Sequence, residues 1–87
     1  MYSKEVVIDS QEGLQARAAI FFIQKANEFK SSIWVELGDR RVNAKSLLGV
    51  LSLGICKGAT VTIVAEGEDE EEAIEALTAL IAADFPE

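Results

Sequence analysis

Apolar residues along this chain follow two periods that take turns, and the order of those turns limits the folds open to it. Alternation at every second residue marks a half-buried strand, while recurrence at three and four residues marks a helix with one buried stripe. Val6, Val7 and Ile8, preceded by Tyr2, predict a first strand ending near Asp9 and Ser10. Gln11, Glu12 and Gly13 read as a loop. From Ala16 the period lengthens, with Ala19, Phe22, Ile23, Ala26 and Phe29 at helical spacing, until Lys30, Ser31 and Ser32 break the helix. Ile33, Val35 and Leu37 alternate with Trp34 and Glu36 in a second strand, and Gly38-Asp39 turns tightly into a short third strand around Arg41 to Asn43. Ser46 is a strong N-cap residue and opens a helix of about two turns through Leu47 to Leu53, ending near Gly54. Gly58 leads into a β-branched strand, Thr60 to Val64. Asp69, Glu70, Glu71 and Glu72 then precede Ile74, Leu77, Ile81 and Phe85 at helical spacing. Acids in a first turn suit the positive end of the helix dipole, so that run reads as helix initiation and solvation rather than a metal site. The order is β-α-β-β-α-β-α, an α+β class in which helices cover one face of a mostly antiparallel sheet.

Composition narrows the function. Eighty-seven residues make one domain, residues 1–87, with no room for a second core. Fifteen acidic residues against eight basic ones give −7, which disfavours nucleic acid or an anionic membrane as a direct partner. No apolar run reaches the ~20 residues of a membrane span, no signal peptide is expected, and the single cysteine excludes an internal disulfide. The chain therefore reads as a soluble cytoplasmic domain. Histidine is absent, which removes histidine bases, histidine-ligated metals and phosphohistidine together. Cys56 beside Lys57 lacks a histidine partner, and the glycines do not form a phosphate-loop spacing. Neither an enzyme nor a cofactor is expected.

Some apolar residues exceed what one buried stripe accommodates. The second helix carries Leu47, Leu48, Val50, Leu51 and Leu53, and Ile20 and Phe21 lie off the inward stripe of the first. They either fill core or form an exposed interaction patch, and burial tendencies favour core. Two further loci stand out. Gly13-Leu14-Gln15-Ala16-Arg17 feeds a helix start, where exposed N–H groups and an arginine suit an anion; the plainer alternative is a helix start with a solvated arginine. Arg40-Arg41-Val42-Asn43-Ala44-Lys45-Ser46 places three cations before a serine at a helix start. A phosphate there would face the positive end of the dipole, while the plainer alternative is simple N-capping.

Those two segments carry a resemblance. Gly-Leu-Gln-Ala-Arg at 13–17, Val-Asn-Ala-Lys-Ser-Leu-Leu-Gly-Val-Leu-Ser-Leu-Gly at 42–54 and Ala-Glu-Gly-Glu-Asp-Glu at 65–70 resemble HPr, the small phosphocarrier family of the bacterial sugar phosphotransferase system, over essentially the whole chain. The resemblance implies an open-faced β-sandwich, a four-stranded antiparallel sheet with three helices on one face. It also implies that Gln15 stands where the family has its phosphate-accepting histidine. A carboxamide nitrogen is not basic, because its lone pair is delocalised, so phosphohistidine transfer by the usual route is not expected. The catabolite-repression HPr-like (Crh) branch has glutamine there and keeps a regulatory serine, which maps to Ser46. The branch implies phosphorylation of Ser46 by HPr kinase/phosphorylase, followed by corepressor binding to a LacI-type catabolite control repressor that makes the DNA contact itself. Lys45, Leu47, Leu48, Leu51 and Ile20 are then the partner-binding candidates, and Gln15, Ala16 and Arg17 the remnant of a phosphate site. The family fold is expected to bring the starts of helices one and two together, so that Arg17 reaches a phosphate on Ser46. The branch resemblance implies that the first strand can be exchanged between the subunits of a homodimer, which residues 1–10 leave undecided. Ala18 departs from the family's usual proline. The alternatives are a degenerate HPr paralogue that occupies HPr partners without a Ser46 switch, a phosphocarrier with another acceptor, and an engineered histidine-to-glutamine variant.

Overall fold

The computed structural model describes residues 1–85 except Glu12 and Gln15, with Ala16 described by its backbone; Pro86 and Glu87 also fall outside the description. Its elements are β1 (Tyr2–Val7), α1 (Ala16–Ala26), β2 (Ser32–Leu37), β3 (Arg40–Asn43), α2 (Leu47–Ser52), β4 (Thr60–Glu66) and α3 (Glu70–Ala82). The strands form one sheet in the order β1-β4-β2-β3, with every neighbouring pair antiparallel. Register places Val6 opposite Val61, Val35 opposite both Ile63 and Val42, and Ile33 opposite Ala65, so one face is apolar throughout. Phe22, Ala19 and Ala26 of α1, Val50 of α2, and Ile74, Leu77 and Ile81 of α3 close over that face in a single core. The opposite face is open. There Arg41 stacks on Trp34, with Cζ 4.4 Å from the ring centroid, and its Nε lies 3.3 Å from Glu36.

Several boundaries differ from the periodicity expectation: α1 ends at Ala26 rather than near Phe29, and β4 runs on past Val64 to Glu66. β1 reaches back to Tyr2, because Ser3, Lys4 and Glu5 are exposed residues of an edge strand, where polar side chains are ordinary, and it stops before Ile8. Ile8 is still buried, and its backbone exchanges hydrogen bonds with Ala59 and Gly58. Phe85 is buried as its spacing suggests, yet it is not helical. Asp84 (φ 61°) and Phe85 (φ 53°) turn left-handed after α3. The Phe85 N–H donates to Leu80 O and the Asp84 N–H to Ile81 O, each at 3.0 Å, which satisfies the last carbonyls and folds the ring back into the core.

The acidic run divides its labour. Glu70, Glu71 and Glu72 occupy the first turn of α3, but the Asp69 side chain caps nothing there. It reaches instead to the start of β2, where Oδ2 accepts from the Lys30 N–H at 2.9 Å and Oδ1 accepts from the Ser31 N–H at 3.0 Å and the Ser31 hydroxyl. The hydroxyl first, and then the Lys30 N–H, hold the Asp69 carboxyl down at about 2. Gly67 makes the approach possible: at φ 153° a Cβ would lie 2.6 Å from Ser31 Oγ. The Gly67 N–H donates to Glu70 Oε1, which lowers that carboxyl too.

Candidate functional site

Each residue of the 43–46 stretch has a local task. Ala44 is fully buried and donates its N–H to Ile33 O, locking the chain to β2. Asn43 Oδ1 accepts from the Lys45 N–H at 2.8 Å and Asn43 O from the Ser46 N–H at 3.1 Å, which turns the strand into the helix. Ser46 has extended backbone (φ −107°, ψ 118°), and its Oγ accepts from the Gly49 N–H at 3.1 Å. That is the N-cap geometry expected of it. The side chain is half-buried, with its hydroxyl at the start of α2.

The cation run that precedes Ser46 disperses in space, because neighbours in a strand point to opposite faces. Arg41 goes to the open sheet face over Trp34. Arg40 goes to the far end of α2, where Nη1 donates to Ser52 O at 2.7 Å. Lys45 turns to the segment that follows α1, where Nζ donates to Phe29 O at 2.7 Å. None of the three is bonded to the Ser46 side chain in this structure.

Arg17 corrects a second expectation. The start of α2 docks on the end of α1, where Asn27 Nδ2 donates to Lys45 O at 3.3 Å. The segment after α2 docks on the start of α1, where the Leu14 N–H donates to Ile55 O at 3.0 Å. The two helices therefore run in opposite senses. Ten residues separate Arg17 from Asn27, about 15 Å along the axis at 1.5 Å per residue, so Arg17 and Ser46 occupy opposite ends of the pair. A helix start meets a helix end here, and the pairing of Arg17 with a phosphate on Ser46 is not what this geometry offers. The Arg17 guanidinium lies 5.4 Å from the Phe21 ring centroid and lines a shallow cleft of about 200 Å3 with Ser10, Gln11, Ala18, Asp84 and Phe85. Gln15 lies outside the described residues, and Ala16 opens α1 by its backbone. Gly13 supports this end, because its left-handed backbone (φ 66°) passes so close to Ile55 that a Cβ would overlap the carbonyl oxygen.

The surplus apolar residues separate into two groups. Phe21 and Leu47 are half-buried and pack on the core, in keeping with core filling. Ile20 (42% exposed), Leu48 (81%) and Leu51 (39%) do not, and here the core expectation is overturned. For Leu48 and Leu51 the reason is geometric, because α2 is six residues long and buries only Val50, whereas Ile20 lies off the buried stripe of α1. Ile20, Leu48 and Leu51 all belong to the packed α1–α2 pair, so exposed leucine and isoleucine concentrate beside the Ser46 helix.

The fold and this surface define a class, small open-faced β-sandwiches that present a capped serine and an apolar helix on one side. The family model for the PTS HPr component phosphorylation site matches residues 2–83. The HPr-like protein Crh of Halalkalibacterium halodurans is 49% identical over 81 residues, 93% of this chain and 96% of that protein. The crystal structure of HPr-C-His from Thermoanaerobacter tengcongensis superposes with a TM-score of 0.98 at 48% identity, covering 100% of this chain and 98% of that one. Crh of Bacillus subtilis, solved as a dimer with a swapping domain, superposes with a TM-score of 0.77 at 41% identity over 100% of both chains. The chain belongs to the HPr family. Among the described residues no helix is long and apolar enough to cross a membrane.

Proposed function

We propose that this chain is a regulatory HPr-family protein of carbon catabolite repression whose switch is phosphorylation of Ser46. In this reading HPr kinase/phosphorylase binds the α1–α2 surface, and a Ser46 Oγ lone pair attacks the γ-phosphorus of ATP. The P–O bond to ADP breaks and the hydroxyl proton passes to a base of the kinase, which leaves phosphoserine and ADP. The phosphoprotein then docks on a LacI-type catabolite control repressor through Ile20, Leu48 and Leu51, with Leu47 and Lys45 at the margin. Gln15, Ala16 and Arg17 remain as a phosphocarrier site without its nucleophile.

The observation that carries the reading is the exposed apolar group beside a serine whose oxygen already sits at a helix cap. Phosphate adds about −1.5 to −2 charge and three acceptors. With Lys45 engaged at Phe29 and Arg40 at Ser52, that charge faces outward to a partner's donors rather than inward to this chain's. Binding through the repressor also reconciles a −7 chain with a role in transcription. A homodimer fits the same reading, by likeness to the swapped Crh dimer.

Mass spectrometry after treatment with ATP and HPr kinase tests the proposal. One phosphate is expected on the wild type and none on Ser46→Ala. No phosphate on either protein, or equal phosphate on both, removes Ser46 as the switch.

A further inference from the structure

A helix of six residues does not hold itself together, since isolated helices below ~12 residues are marginal in water. α2 buries one side chain and carries no basic residue in its last turn. The charge at that end comes from another element. Arg40, the first residue of β3, donates from Nη1 to Ser52 O at 2.7 Å and from Nη2 to Ser52 Oγ at 3.3 Å. Ser52 Oγ donates onward to Gly49 O at 2.7 Å. The same Gly49 gives its N–H to Ser46 Oγ at 3.1 Å. Gly49 also packs against the serine, because a Cβ there would lie 3.4 Å from Ser46 Oγ and from Asn43 O. A continuous line of hydrogen-bonding groups thus runs from the β2–β3 hairpin to the Ser46 hydroxyl.

We propose that Arg40 is a positioning residue for Ser46, acting through Ser52 and Gly49 to keep the short helix closed and the serine in its capped geometry. The guanidinium supplies the positive charge that the helix's carboxyl end lacks, and its fork engages both acceptors of Ser52 at once. Arg40 therefore acts on the modification site from the end of α2 opposite to it. The link to phosphorylation rests on the Ser46 reading above; the clamp itself does not.

The test pairs amide hydrogen exchange on the unmodified protein with phosphorylation kinetics, using wild type, Arg40→Ala, Arg40→Lys and Ser52→Ala. Exchange at Gly49 and Val50 should be about two- to five-fold faster in Arg40→Ala, the effect of losing one cation at a helix end. Ile63 in the central strand β4 should be unmoved, and Arg40→Lys should restore part of the protection. The kcat/KM for Ser46 phosphorylation by HPr kinase should fall by a similar factor in both Arg40→Ala and Ser52→Ala. The serine variant leaves the guanidinium available to the kinase, so it separates positioning from direct contact. Unchanged exchange at Gly49 in Arg40→Ala overturns the proposal. So does a loss of phosphorylation in Arg40→Ala that Ser52→Ala does not share. Absence of phosphate on the wild type overturns the Ser46 reading and the switch role with it, and the exchange rates then decide separately whether the clamp exists.

Discussion

α2 and α3 both carry many apolar residues, yet they are held in opposite ways. α3 runs for thirteen residues, buries Ala73, Ile74, Leu77 and Ile81, and has three glutamates in its first turn. α2 has six residues, buries Val50 alone, and is hydrogen-bonded at one end by Ser46 and at the other by Arg40 to Ser52. One helix is fixed by what it covers and the other by how its ends are tied. The lesson is that apolar content along a helix measures burial only when the helix is long enough to turn a whole stripe inward. Leu48 and Leu51 are surplus to the core and stay exposed.

The contrast breaks if core changes in α3 turn out to be mild. Leu77→Ala should destabilise the protein by about 2–5 kcal/mol in urea unfolding, since a fully buried leucine leaves a cavity. Gly67→Ala, at the loop that leads into α3, should cost about 1–3 kcal/mol by the same measurement, because its backbone conformation disfavours a side chain and Ser31 occupies the space. The same loop should give the fold an acid limit. The Asp69 carboxyl is held at about 2 in the folded chain, below its ordinary value of 3.8. Its contribution is therefore complete above about pH 4 and is lost as pH falls through about 2. Unfolding titrations at pH 5, 3 and 2 should show stability falling over that interval in the wild type and falling less in Asp69→Asn.

At α2 the expected costs are smaller. Ser46→Ala should lose about 1 kcal/mol, the worth of an N-cap, detectable as a lower urea midpoint with an unchanged slope. Leu48→Ala should change stability by about 0.5 kcal/mol or less, because the side chain is mostly solvated already. The same variant, once phosphorylated, should bind a catabolite control repressor more weakly in a titration at fixed salt. A large loss of stability in Leu48→Ala, with binding intact, would reverse the assignment of α2 as a recognition element.

Much of the fold was legible because period is a local signal. Every strand and helix was visible in residue spacing, and the β2–β3 hairpin in Gly38-Asp39. What escaped was set by contacts distant in sequence. Asp69 looks like one acid among four at a helix start, and only the folded chain brings it to Lys30 and Ser31. Arg40, Arg41 and Lys45 look like one basic cluster, and only strand pleating and the seat of α2 send them to Ser52, Trp34 and Phe29. Ser46 was legible because capping is a one-turn property. Whether Leu48 and Leu51 face solvent was not, since leucine in a sequence does not reveal which side of a short helix has a neighbour.

Ser31, Gly67 and Asp69 also bear on how pieces of this family can be exchanged. The buried hydroxyl, the side-chain-free approach and the carboxylate come from segments 36 or more positions apart, yet each makes sense only with the other two. A chimera that takes residues 67–69 from a relative and leaves position 31 behind would pair an acceptor with the wrong donor, or press a side chain into the serine. Crossover points that keep the three together should give folded hybrids, whereas those that divide them should select for a compensating change at position 31.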